Sequence, residues 1–201
     1  MKKIYCAFLI CFFLFGCKET DAKLPFLGNS QEIDGKLEYP KIKDFTLTNQ
    51  DGKFVTNRTF AGKIYVADFI FLSCTSICPR MNIQMTKVYE VFKNDPRVAF
   101  LSHTIDPDRD TVEKLKQHAE SLGLNKHWQF VTGSKEKIYD LATNSYFTTA
   151  YPDARDRDGY VHGGSFLLVD ENRHVRGIYD GTNPADTKKL IADINILLQD
   201  L

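Results

Sequence analysis

Ile64-Tyr65-Val66-Ala67-Asp68-Phe69-Ile70-Phe71-Leu72-Ser73-Cys74-Thr75-Ser76-Ile77-Cys78-Pro79 is an apolar run that breaks into a short polar loop holding two cysteines. The β-branched and aromatic residues from Ile64 to Phe71 read as a buried strand. Two thiols at a strand-to-helix junction occupy the place where alpha/beta folds hold reactive groups. The stretch narrows function to thiol redox chemistry or soft-metal binding.

Working outward, Pro79 suits the first turn of a helix, and Met81, Met85, Val88 and Phe92 recur at helical spacing as its buried face. Before the strand, Asp44 to Thr48 and Phe54-Val55 flank Asp51-Gly52, a favoured hairpin turn. After the helix, Val98 to Leu101 reads as a strand, and Asp110-Thr111-Val112-Glu113 opens a helix running to Gly123, with Asp110 as its cap. Trp128 to Val131 is a short strand, Ser134 caps a helix to about Phe147, and Thr148 to Tyr160 is a polar loop. Ser165 to Val169 and Val175 to Tyr179 form a hairpin, and Asn183-Pro184 starts a last amphipathic helix. This order predicts an α/β, thioredoxin-like fold with an amino-terminal β-hairpin extension.

The 201 residues suffice for one domain with a substantial core. Lys plus Arg and Asp plus Glu both total 26, which gives no footprint for a nucleic acid. Lys2 and Lys3 precede an apolar segment, Ile4 to Phe15, too short to span roughly 30 Å of hydrocarbon as a mature helix. Leu14-Phe15-Gly16-Cys17 looks like a bacterial lipobox, which makes residues 1–16 a signal peptide and Cys17 the lipidated residue. An ordinary secretory signal or an anchor helix with an incidental cysteine is the alternative. Residues 17–38 then read as a polar tether, and 39–201 as the domain. Cleavage removes Cys6 and Cys11, and lipid occupies Cys17, so Cys74 and Cys78 remain as free thiols. The expected location is extracytoplasmic, on a membrane that the lipid anchor holds.

Cysteines at i and i+4 on a helical turn put their sulfurs on one face, and helix-terminal N–H groups favour a thiolate there. The three-residue gap is wider than the Cys-x-x-Cys of most redox domains of this fold, and it suits two sulfurs converging on a soft ion such as Cu(I). A static disulfide is the bland alternative, disfavoured because so small a loop removes little unfolded-state entropy. Among five histidines, His118 and His174 read as solvent-facing, His127 as structural and His103 as packed or hydrogen-bonded. His162 stands just before the strand Ser165 to Val169, in the loop that lies against the cysteines in a thioredoxin-like domain. Gly163 and Gly164 allow close backbone approach there, so His162 is the candidate third ligand.

Phe71-Leu72-Ser73-Cys74-Thr75-Ser76-Ile77-Cys78-Pro79, Ile105-Asp106-Pro107-Asp108-Arg109-Asp110-Thr111, Thr132-Gly133-Ser134 and His162-Gly163-Gly164-Ser165-Phe166-Leu167-Leu168-Val169-Asp170 together resemble the Sco/SenC family of copper-binding, thioredoxin-like proteins. The resemblance runs from about Tyr39 to the carboxyl terminus. It implies that Cys74, Cys78 and His162 bind copper, as Cu(I) or Cu(II). It also implies delivery of copper to cytochrome c oxidase subunit II or another acceptor, or reduction of that acceptor's thiols. Asp106 to Asp110 reads as a turn and capping device, and Met81 and Met85 as core. Asp153, Asp156 and Asp158 form an acidic loop beside His162, read as solvated, as an extra oxygen ligand or as a docking surface. The rival reading is a thiol–disulfide reductase that uses Cys74 and Cys78 without a metal. A peroxidase of the peroxiredoxin kind lacks its proline before Cys74.

Overall fold

Ile64–Ile70 is buried at all seven positions, the pattern of a strand covered on both faces. The computed structural model describes residues 23–201, so the signal segment and Cys17 lie outside the described residues. In chain order the strands are β1 (Gln31–Ile33), β2 (Lys36–Glu38), β3 (Thr46–Asn49), β4 (Phe54–Thr56) and β5 (Ile64–Ile70). Then follow α1 (Cys78–Phe92), β6 (Val98–Thr104), α2 (Val112–Ser121), β7 (Trp128–Thr132) and α3 (Lys135–Asn144). The chain closes with β8 (Ala150–Pro152), β9 (Tyr160–His162), β10 (Ser165–Val169), β11 (Val175–Asp180) and α4 (Pro184–Gln199).

Seven strands form one sheet in the order β11-β10-β5-β6-β7-β3-β4. β5 pairs parallel with β6 and β6 with β7, while β10, β11, β3 and β4 add antiparallel edges. The architecture is thioredoxin-like, with the predicted hairpin β3–β4 at one edge. Met81, Met85 and Val88 on α1 are fully buried, as are Leu190 and Ile194 on α4. Both helices bury apolar stripes, and each opens with a proline in its first turn.

Four expectations need correction. The tether is docked along part of its length. Arg176 donates to the carbonyls of Leu24 (2.5 Å) and Pro25 (3.0 Å), and Leu27 N–H bonds Val175 O at 2.9 Å. Phe26 stacks on Tyr39, and residues 31–38 form the β1–β2 hairpin. The loop Thr148 to Tyr160 is likewise not featureless, because β8 and β9 pair across it. Thr111, not Asp110, caps α2 by accepting from Lys114 N, because the Asp110 carboxylate is buried and turned inward. Finally, His118 and His174 do not face solvent. His118 packs edge-on against Phe130 with its Nε2 buried, and the His174 ring lies edge-on to Phe26. His127, as expected, is a structural residue whose Nδ1 approaches Val98 O at 3.4 Å.

Candidate metal centre

β5 ends at Ile70, and the chain turns through Phe71 to Ile77 before α1 begins. Both cysteines are free and buried, Cys74 at 7% and Cys78 at 5% exposure, so the dithiol is part of the core surface. No conventional side-chain cap closes α1. Instead the Cys78 amide donates to Cys74 Sγ at 3.4 Å, which sets this sulfur at the positive end of the helix. Burial opposes ionisation of Cys74, yet the Cys78 amide and the Ser76 hydroxyl, 3.6 Å from the sulfur, hold the thiol below its ordinary pKa. Burial drives the Cys78 thiol far the other way, and the nearby Cys74 and Asp68 charges add to that.

The third donor arrives on β9. His162 Nε2 lies 3.6 Å from Cys78 Sγ and 3.9 Å from Cys74 Sγ. The three donor atoms lie within 4.8 Å of one another, and they form the metal-capable His/Cys/Asp/Glu cluster found among the described residues. Two bonds of about 2.0–2.3 Å meeting at a trigonal to tetrahedral angle separate nitrogen from sulfur by about 3.6–3.8 Å, so a single ion fits with little movement. Burial lowers the pKa of His162, which keeps the imidazole neutral and its lone pair available. Phe71 meets the ring edge-on at 5.5 Å, and Nδ1 is buried without a hydrogen-bond partner.

Glycines let β9 and β10 carry His162 to this place. Gly164 has φ +59°, a conformation costly for other residues, and a Cβ on Gly163 would collide with Thr148 Oγ1. The Asp106 to Asp110 run braces both sides of the centre. Asp110 accepts from Leu72 N (3.1 Å) and Thr104 Oγ1 (2.5 Å), fixing the start of the cysteine loop. Asp106 accepts from Tyr160 OH at 2.8 Å and pairs with Arg109, fixing β9. Met81 and Met85 are core residues, as expected.

Asp158 is not among the metal-capable donors. Its carboxylate accepts from Thr75 N (3.2 Å), Thr75 Oγ1 (2.9 Å) and Ser76 Oγ (3.1 Å). Asp153 instead closes its own turn with Arg155.

Two features were missed by reading the sequence. Asp68, the lone charge in the β5 run, is fully buried with Oδ1 unpartnered, and burial pushes its carboxyl up to about 7 despite Ser102. A cavity of about 150 Å³ opens beside both sulfurs, lined by Pro79, Asn82 and His118 as well. Larger depressions exist, such as one of about 260 Å³ lined by Lys43, Phe45, Lys137 and Asp140, but it holds no soft donor.

A family model described as SCO1/SenC matches residues 34–199. The SCO1 protein homolog of Bacillus subtilis (strain 168) is 33% identical over 167 residues, covering 82% of this chain and 86% of its own. A SCO1/SenC family lipoprotein from Bacillus anthracis superposes with TM-score 0.72 at 32% identity, over 79% of this chain and 95% of that one. BsSco, a member of the Sco family of cytochrome c oxidase assembly proteins with an identified disulfide switch, gives TM-score 0.67 at 31% identity, over 79% and 93%. The matched span takes in the cysteine loop, the Asp106 brace and the histidine hairpin together, and on that ground the chain belongs to the SCO1/SenC family.

Proposed function

We propose that this protein is a membrane-tethered copper metallochaperone, whose cargo is held by Cys74, Cys78 and His162 and passed to the binuclear copper site of cytochrome c oxidase subunit II or to another copper acceptor. The observation that carries the reading is the convergence of two sulfurs and one neutral imidazole within 4.8 Å, drawn from positions more than eighty residues apart. Thiolate and imidazole are the donors preferred by copper, and a site open on one side lets an incoming donor replace a departing one. The cavity beside the sulfurs gives such a donor a path. Membership of a family that includes a cytochrome c oxidase assembly protein supports the choice of acceptor.

The tether rests on Leu14-Phe15-Gly16-Cys17, with Cys17 as the lipidated residue and an extracytoplasmic location. The lipoprotein from Bacillus anthracis, a relative by structure, supports it. Membrane fractionation of wild type beside Cys17→Ser tests it, with release of the variant expected.

Metal analysis and absorbance of anaerobically purified protein test the centre. Wild type is expected to carry copper, Cys74→Ser and Cys78→Ser to lose it, and His162→Ala to bind more weakly. If all three variants bind like wild type, the reading is wrong.

A second reading has its own observation, the opposed shifts of the two thiols. As a thiol–disulfide reductase, the Cys74 thiolate attacks a substrate disulfide and forms a mixed disulfide. Cys78 then attacks Cys74 Sγ, releasing the substrate as a dithiol and leaving a Cys74–Cys78 disulfide for an external dithiol to reduce. Reductase activity that survives in His162→Ala, with or without copper, favours this role.

A further inference from the structure

The histidine hairpin is a separate piece of structure. Among the described residues β8 and β9 pair only with each other, in register Ala150↔His162, Tyr151↔Val161 and Pro152↔Tyr160, and neither joins the seven-stranded sheet. The hairpin leaves the sheet through Gly163 and Gly164, and Gly164 sits at φ +59°. Its far turn, 153–159, is shaped by its own hydrogen bonds, Asp153 N to Gly159 O (3.1 Å) and Asp158 N to Asp156 Oδ1 (2.9 Å). Tyr160, bonded to Asp106, and Ala150, buried in the core, hold the base of this flap, and its far turn needs something of its own to hold it down.

Asp158 fills that role. All three donors to its carboxylate belong to Thr75 and Ser76, which stand between Cys74 and Cys78. One side chain therefore ties the turn of the histidine hairpin to the loop of the two sulfurs, across 82 and 83 residues of sequence. The bonds are solvent-exposed, so water replaces them readily and the tie can open and re-form. Burial helps the flap only at its base, where Ala150 is in the core and Tyr160 packs on Phe71, while Tyr151 is 46% exposed and His162 half-buried.

We propose that Asp158 is a latch, a positioning residue that holds the His162 flap closed over the sulfurs and whose release sets the rate at which copper leaves. The inference rests on reading Cys74, Cys78 and His162 as the copper centre. With the latch closed, the cargo has three donors. When it opens, the hairpin swings on its glycines, His162 withdraws, and copper stays on the two core-seated sulfurs with a coordination position free for an acceptor. Asp158 touches neither copper nor the reacting sulfurs. Its effect passes entirely through His162.

The test uses the full chain, with Asp158→Ala, Asp158→Asn and Thr75→Val made singly and Asp158→Ala combined with His162→Ala. In metal-free reduced protein, hydrogen exchange is read at the hairpin amides and at β5. Both Asp158 variants are expected to exchange about tenfold faster in the hairpin, the scale of one charge-assisted hydrogen bond, with β5 unchanged. Thr75→Val is expected to reproduce part of that effect. Copper-loaded proteins are then mixed with excess Cu(I) chelator. Asp158→Ala is expected to release copper about tenfold faster than wild type, yet to change the rate less than twofold when His162 is already alanine. Equal release from Asp158→Ala and wild type overturns the latch, as does an undiminished effect in the His162→Ala background. If wild type holds no copper, the metallochaperone reading falls by itself, and unchanged hairpin exchange in the metal-free variants then overturns the latch separately.

Discussion

The two halves of the candidate metal centre are built to different standards. The cysteines stand on the edge of the main core, backed by β5, whose seven residues are all buried, and by α1, whose Met81 and Met85 are fully enclosed. His162 stands on a two-stranded hairpin outside the sheet, joined to the remainder by Asp158, Tyr160 and a pair of glycines. A pair of soft donors seated in the core gives a centre its affinity, while a third donor on a separate hairpin, released by the proposed latch, would give it a way to let go. A carrier needs both, whereas a permanent site needs only the first.

Native-state hydrogen exchange gives the widest test of this contrast. Amides of β5 and β6 are expected to exchange only through global unfolding, on the scale of about 5–15 kcal/mol, and amides of β8 and β9 through local opening far below it. Equal protection in the two regions breaks the comparison. Urea denaturation gives the next largest effect. Phe100→Ala removes a fully buried ring and should cost about 3–5 kcal/mol, while Tyr151→Ala, on the exposed side of the hairpin, should stay within about 0.5 kcal/mol.

A pH series sharpens the core side. Burial raises the Asp68 carboxyl from 3.8 to about 7. A folded value above the unfolded one means that folding favours the protonated acid. That stability is complete below the unfolded value and is lost as pH rises through 7, at up to about 1.4 kcal/mol per unit. Asp68→Asn should therefore gain on wild type between about pH 4 and 7, and a constant difference across that window refutes the assignment. His103, which burial lowers to about 4, acts in the opposite sense, favouring the fold at higher pH and losing that contribution as pH falls. Because it is present in both proteins, the comparison isolates Asp68. The smallest effect belongs to Tyr160→Phe, which removes the bond to Asp106 (2.8 Å). It should raise hairpin exchange by about fivefold, equivalent to about 1 kcal/mol, while leaving the thermal midpoint unchanged.

What could be read in the sequence follows the same division. β5 and α1 announce themselves because continuous burial and a 3.6-residue period both write apolar residues into the chain. His162 was legible from its place before an apolar strand and its two glycines. The hairpin it belongs to was not, since Ala150-Tyr151-Pro152 and Tyr160-Val161-His162 are short, carry no apolar period and are held by long-range bonds between their turn or Tyr160 and Thr75, Ser76 and Asp106. His118 offered a signal that went unused, since it lies three residues after buried Leu115 and next to Ala119, on the inner face of α2. Asp110 misled for a related reason. Asp and Thr both favour helix caps, and only the burial of the Asp110 carboxylate against Leu72 decides between them.

The docked strand of chain before β1 has a consequence for where the protein operates. Were residues 24–38 extended and free, they would add roughly 50 Å of reach between the domain and whatever precedes them. Arg176 grips the backbone carbonyls of Leu24 and Pro25, so the chain from residue 24 onward moves with the domain and adds nothing to that reach. If Cys17 carries the proposed lipid, this docking keeps the domain closer to the bilayer than a free tether would. On that proposal the search for an acceptor becomes two-dimensional, and a membrane-embedded acceptor would come within range by lateral diffusion alone.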